Sequence, residues 1–159
     1  MARRKQRALE ERFILVATIE SVERNYFVSE EHDLRRVDDE ASLIICGHIT
    51  EIDRKHRRHN GLSIEMKFLC ARSFQRDRDV PAADRPFLMS VNLRGDQRSL
   101  GAYLPADAFW ELPSMIASGA VTHIEAQFGP TRQGHADLLF VNFTTATRLE
   151  ADRQLLLSR

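Results

Sequence analysis

The chain has 159 residues, 43% apolar and 29% charged, an ordinary globular balance that excludes a low-complexity or disordered polymer. Lysine plus arginine equals aspartate plus glutamate at 23 each, so no whole-molecule field steers it toward nucleic acid or an anionic membrane, and any electrostatic function has to come from a local patch. A chain of this length normally forms one domain and buries roughly two-thirds of its unfolded surface without metals or disulfides.

Residues 1–11 carry Arg3, Arg4, Lys5 and Arg7 and read as a basic arm. The apolar run behind it, Phe13 to Ala17, is short and is followed by Thr18-Ile19-Glu20 without a small-residue cleavage site, so no secretory signal is expected. No stretch reaches the ~18 apolar residues that cross a bilayer. The expectation is a cytoplasmic protein with Cys46 and Cys70 as reduced thiols inside strands.

Phe13 to Val28 reads as a long first strand, rich in Ile, Val, Thr, Tyr and Phe and interrupted at Glu23-Arg24-Asn25. The polar, mixed-charge run from Ser29 to Glu40 reads as a loop. Ser42 to Ile52 and Leu62 to Cys70 then form a hairpin, the second run alternating apolar and polar residues. A basic loop joins them and ends in Asn60-Gly61, a pair suited to a tight reversal because both residues tolerate positive φ. If the register paired Cys46 with Cys70, the two would be neighbours. The charged segment 75–86, bracketed by Pro81 and Pro86, is a second loop.

Phe87 to Leu93 is the fourth strand and turns at Arg94-Gly95-Asp96-Gln97 into a short fifth, Ser99 to Leu104. A helix is expected over about 105–118. Pro105 suits its first position, Asp107 complements its positive end and Gly119 stops it. Phe109, Leu112, Met115 and Ile116 recur at helical spacing, while Pro113 predicts a kink or two short helices. Val121 to Phe128 is the sixth strand, and after Gly129-Pro130 and Gly134 the seventh runs from Asp137 to Thr147. The tail, 148–159, reads as a short helix or a frayed end. The organisation expected is a basic arm over 1–11, one β-rich domain over 12–147 and the tail. The fold class is mostly β: an antiparallel β-sandwich or partly open barrel of about seven strands, with one short kinked helix between strands five and six.

The richest polar cluster lies at the hairpin tip. Arg54, Lys55, Arg57, Arg58 and His59 are the candidate contacts to phosphate or nucleic acid, arginine offering bidentate bonds and lysine a point charge. The competing reading is a solvated tip whose charges keep the hairpin from pairing with other chains. His48, Glu51, Asp53, His56 and His59 are close in sequence, yet no i, i+4 pair sets two ligands on one helix face. His56-x-x-His59 on a strand or turn is expected to point its imidazoles apart, and both cysteines lack a Cys-x-x-Cys partner. No metal or cofactor is expected. Gly129 to Gly134 has the glycine spacing of a phosphate loop, but His135-Ala136 stands where Lys-Ser/Thr belongs. No nucleophile motif is present, which leaves only a dispersed set such as Glu51, Asp53, His56 and His123 as a route to an enzyme.

Trp110 adjoins Phe109 on the helix, and the two cannot both face one core. Trp110 with Leu155, Leu156 and Leu157 in the tail forms the candidate interface. The expected function is a non-enzymatic binding or assembly module that self-associates as a homodimer, with no membrane partner. The alternative is a nucleotide- or nucleic-acid-binding β domain that uses the basic 54–59 tip and the N-terminal arm.

Overall fold

Period-two alternation of buried and exposed side chains, the pattern of a sheet with one face on a core, runs through most of the chain. The computed structural model describes residues 11–31, 36–71 and 88–157. In chain order these form β1 (Phe13–Thr18), β2 (Ser21–Glu31), β3 (Arg36–Ile52), a 3₁₀ turn η1 (Arg54–His59), β4 (Ser63–Ala71), β5 (Leu88–Asn92), β6 (Ser99–Tyr103), α1 (Ala106–Ala117), β7 (His123–Phe128), β8 (His135–Thr144) and α2 (Ala146–Leu157). The basic arm lies outside the described residues except at Glu11, and the loop read over 75–86 and the start of the fourth strand at Phe87 lie outside them altogether.

Seven strands close into a barrel in the order β1-β7-β8-β5-β6-β4-β3, β1 pairing with β3 to complete the circuit, and β2 is added beyond β3. The all-β class is as expected. Of the two architectures left open, the barrel is the one formed, and it is closed. The closure follows from β3, whose 17 residues pair with β2 and β4 along their first part and with β1 at Ile49, Glu51 and Ile52. Antiparallel pairing is broken once, between β4 and β6. Here β5 skips one place before the β5–β6 hairpin returns, so β6 fills the gap beside β4 in the parallel sense.

Three local readings change. The first strand is two, and it divides at Ile19-Glu20, not at Glu23-Arg24-Asn25. At the break, Gly47 lets the Thr18 carbonyl approach β3 so closely that a Cβ would stand 1.7 Å from that oxygen. The Thr18 hydroxyl fills the junction, donating to the His48 carbonyl and accepting from the His48 N–H, both at 3.3 Å. Glu23, Arg24 and Asn25 continue the ladder as exposed strand residues. Much of the supposed acidic loop is also ladder: Ser29, Glu30 and Glu31 pair with Asp38, Val37 and Arg36. Finally, of the two outcomes expected at Pro113, a kink or two short helices, the second does not occur: α1 runs as one 12-residue helix, in the place expected. Pro113 removes one helical bond, and the buried Phe109 and Leu112 before it and the partly buried Ile116 after it hold the helix on the core.

The core is the barrel interior. Leu15, Leu43, Ile45, Ile49, Met66, Phe68, Val91, Ile124 and Phe128 are fully buried, each worth about 1.5–3 kcal/mol of transfer free energy. Phe109 and Leu112 belong to the same cluster and close the end where β6 finishes and β7 begins. Gly119, at φ +77°, reverses the chain after α1 and donates to the Ile116 carbonyl at 3.0 Å. The cysteines are not neighbours. Cys46 lies across from Glu65 and is exposed, whereas Cys70 lies across from Ala41 and is buried. No helix among the described residues is long and apolar enough to cross a membrane.

Candidate anion-binding site

At the opposite end of the barrel, β3, β5 and β7 finish and β1, β4, β6 and β8 begin, and η1 folds back over the opening. Its anchors are backbone bonds. Gly61 N–H donates to the Ile49 carbonyl at 2.7 Å and Ile49 N–H to the Leu62 carbonyl at 2.9 Å, so the loop leaves and re-enters the sheet at one rung. The reversal is a type II turn, with Asn60 extended (φ −64°, ψ 136°), Gly61 at φ +79° and Leu62 N–H donating to the His59 carbonyl at 3.2 Å. Positive φ is therefore used at Gly61 alone. Asp53, just before η1, accepts from the Ile14 N–H through its carboxylate and ties the loop to β1.

Within a 3₁₀ turn, side chains three apart eclipse one another. His56 and His59 therefore share one side, at 7% and 5% exposure, while Arg54, Lys55, Arg57 and Arg58 stay in water. The expectation that the two imidazoles diverge is corrected by this turn: the spacing of three that separates them on a strand unites them here. The His56 ring meets Phe13 edge-on with centroids 5.0 Å apart and lies 5.5 Å from Phe128. His59 Nε2 accepts from Arg58 Nε at 3.1 Å, which assigns the imidazole proton to Nδ1. His59 Nδ1 and His56 Nε2 are buried and make no hydrogen bond among the described residues. Both imidazoles titrate below the usual histidine range, because burial resists the charged form and neighbouring cations add to it: Lys55 at His56, and Arg58 with Arg98 at His59.

A cleft of about 500 Å³ opens between η1, the β5–β6 turn and the β7–β8 turn. Its polar lining is Arg58, His59, Arg94, Arg98 and Gln133, with no carboxylate. Arg98 is 9% exposed and holds its guanidinium flat by donating to the carbonyls of Ser63 (2.9 Å), Gly95 (3.1 Å) and Asp96 (3.2 Å). Arg94 is placed by its N–H, which donates to Asn92 Oδ1 at 2.9 Å, and by Gly134, where a Cβ would come within 2.8 Å of the Arg94 Cβ. Glycine at φ +86° is what allows the β7–β8 turn to lean on Arg94. Three arginines and His59 thus line one cleft in a chain of zero net charge. The arrangement suits an oxyanion with several acceptor oxygens.

Of the residues read from sequence as phosphate contacts, Arg58 and His59 enter this cleft. Arg57 lines a separate one of about 430 Å³ with Thr50 and Glu51. Lys55 is engaged elsewhere, 3.5 Å from Glu11 and 4.8 Å above the Phe13 ring, and Arg54 is exposed. Arg94 and Arg98 were missed, since they arrive from another hairpin and nothing in their spacing points to Arg58. Among the described residues no group of three His, Cys, Asp or Glu side chains is placed to hold a metal ion. In the candidate interface, Trp110 is 45% exposed, edge-on to the buried Phe109 and 5.4 Å below the Arg24 guanidinium. Leu155 is 62% exposed on α2, and the side chains of Leu156 and Leu157 lie outside the described set. Buried Leu149 and the ion pair of Arg153 with Glu51 help to hold the helix. Set against models of known protein families, curated proteins and solved structures, the chain matches none of them.

Proposed function

We propose that this chain is a non-enzymatic β-barrel binding module that takes a phosphate-class anion in the cleft between η1 and the β5–β6 turn. The observation that carries the reading is the convergence of Arg58, Arg94 and Arg98 on a cleft of about 500 Å³ with no acidic lining residue. Like charges lining one cleft repel one another unless an anion is present to offset them, so a bound phosphate stabilises the site. Binding is favoured over turnover by the chemistry of the lining. Its charged groups are donors, and the acceptor nitrogen of His59 is already bonded to Arg58.

The test is calorimetric titration of the full chain with inorganic phosphate, a nucleoside triphosphate and a short single-stranded oligonucleotide at two salt concentrations. Affinity falls as salt rises, and Arg58→Gln or Arg94→Gln each weakens it by roughly tenfold or more, the value of a charge-assisted hydrogen bond. Lys55→Gln leaves it nearly unchanged. Binding that survives Arg58→Gln combined with Arg94→Gln, or no binding of any of the three anions, ends the proposal. The order of the three affinities distinguishes a single phosphate from a nucleotide and from a nucleic-acid backbone.

A further inference from the structure

The anion cleft has a neighbour on each side. Arg58 lines it and also the cleft of about 430 Å³ that holds Arg57 and Asn60, so those two clefts meet along one side chain. On the other side stands the β7–β8 turn, a two-residue reversal in which Arg132 N–H donates to the His135 carbonyl at 2.7 Å and His135 N–H returns the bond at 3.0 Å. Its tip, Gln133 and Gly134, lines the middle cleft, while its flanks, Arg132 and His135, line another of about 660 Å³. A single turn of chain is the wall between them. Each cleft thus has arginine in its lining, and the row runs from Arg57 through Arg58, Arg94 and Arg98 to Arg132. The carboxylates along it are Glu51, already paired with Arg153, and Asp137, across from Ser90.

We infer that a single strand of nucleic acid lies along this row, with successive phosphates in the three clefts; the inference rests on the anion site proposed above and extends it from one phosphate to a strand. The way the charges are interrupted favours that occupant. Neutral amides, Asn60 and Gln133, and the carboxylate of Asp137 share the lining with the arginines. A phosphodiester strand has the matching make-up, one charge per nucleotide with the hydrogen-bonding groups of sugar and base between. Asp137 repels a bare chain of phosphates but accepts from an exocyclic base amine. Inorganic polyphosphate packs its charges without such groups. A duplex is stiff over about 150 base pairs and bridges the β7–β8 turn, whereas a single strand bends over it. No phenylalanine, tyrosine or tryptophan lines the three clefts, so the phosphates carry the binding and base sequence matters little.

The test is calorimetric titration of the full chain with oligothymidylates of increasing length, inorganic phosphate, inorganic polyphosphate and a duplex, with circular dichroism to verify the fold of each variant. Affinity climbs with length over the first few nucleotides and then levels, and its logarithm falls against the logarithm of salt by about 0.7 per phosphate engaged. Arg57 and Arg132 are both exposed, so their replacement is separable from folding. Arg57→Gln and Arg132→Gln each weaken the long oligothymidylate roughly fivefold, flatten its salt slope by about 0.7 and leave inorganic phosphate unchanged. An oligothymidylate held no tighter than phosphate, or indifferent to either change, overturns the strand and leaves the single-anion site standing. Tighter binding of polyphosphate with the same number of phosphates, or equal binding of the duplex, overturns the choice of occupant. A wild type that binds none of these ligands removes the strand and the anion site together.

Discussion

Acidification from neutral through the imidazole range weakens the barrel at its η1 end. In the folded chain His56 is wedged between Phe13 and Phe128 and His59 lies under Arg58, both more than nine-tenths buried. Burial is the first cause that keeps them neutral. Lys55 and Arg58 add to it at His56, against opposition from Asp53 and Glu11, while Arg58, Arg98 and His56 add to it at His59. In the unfolded chain both take a proton near pH 6.5. Below that pH the unfolded state binds more protons, so stability is complete above it and declines as the pH falls. The slope is about 1.4 kcal/mol per pH unit for each imidazole that stays neutral, or about 2.7 kcal/mol per unit for the pair, until the folded protein itself is protonated. His123 on β7, also held low by burial, adds to the trend. Against a typical total of 5–15 kcal/mol that is a large loss over one unit. Urea unfolding between about pH 7.5 and 5.5 measures it. His56→Phe sets a third ring between Phe13 and Phe128, removes one proton site and halves the contribution of the pair. A flat profile, or a slope that His56→Phe leaves unaltered, refutes the reasoning.

Gly47→Ala drives a Cβ to 1.7 Å from the Thr18 carbonyl oxygen and 2.8 Å from its carbon. Backbone on both sides resists, so the change destabilises by about 3 kcal/mol and lowers Tm by roughly 10 °C, read by thermal melting; a shift of under about 3 °C is the contrary result. Arg98→Met keeps the stem but leaves the carbonyls of Ser63, Gly95 and Asp96 without their donor, which costs about 3 kcal/mol in urea unfolding. A loss of under about 1 kcal/mol would mean that water replaces all three bonds.

What the sequence made legible was local and periodic. The Leu62 to Cys70 alternation, the turn at Gly61, the helix from Ala106 and its stop at Gly119 depend on neighbours along the chain, and each formed where expected. The failures share one cause, tertiary context acting on an ambiguous segment. Glu23-Arg24-Asn25 looks like an interruption because an edge strand bathed by water carries no burial pattern. The true break at Ile19-Glu20 is set by the close approach of Thr18 to Gly47, a contact between distant residues. The acidic stretch reads as a loop because its polar composition gives no sign of the partner strand that Ser29 to Glu31 meet at Asp38 to Arg36. The candidate site was half visible. Arg58 and His59 announced themselves in a basic run, but Arg94 and Arg98 reach them only because the barrel closes and sets the β5–β6 turn beside η1.

That closure has a temporal cost. The seam joins β1 to β7, Phe13 across from Phe128 and Thr18 across from His123, so almost the whole chain must be synthesised before the first strand meets its second neighbour. Such long-range pairing pays its loop entropy before any contact offsets it, and folding of this kind is slow. Until β7 emerges from the ribosome, the β1–β4 meander is an open sheet with one apolar face and an unclaimed edge, the state most prone to associate with other nascent chains. A chain cut anywhere before His123 is held in that state, whereas a nick in the β4–β5 connection leaves every strand of the seam in place. The barrel is a clasp fastened last, and its vulnerability lies in the interval before it shuts.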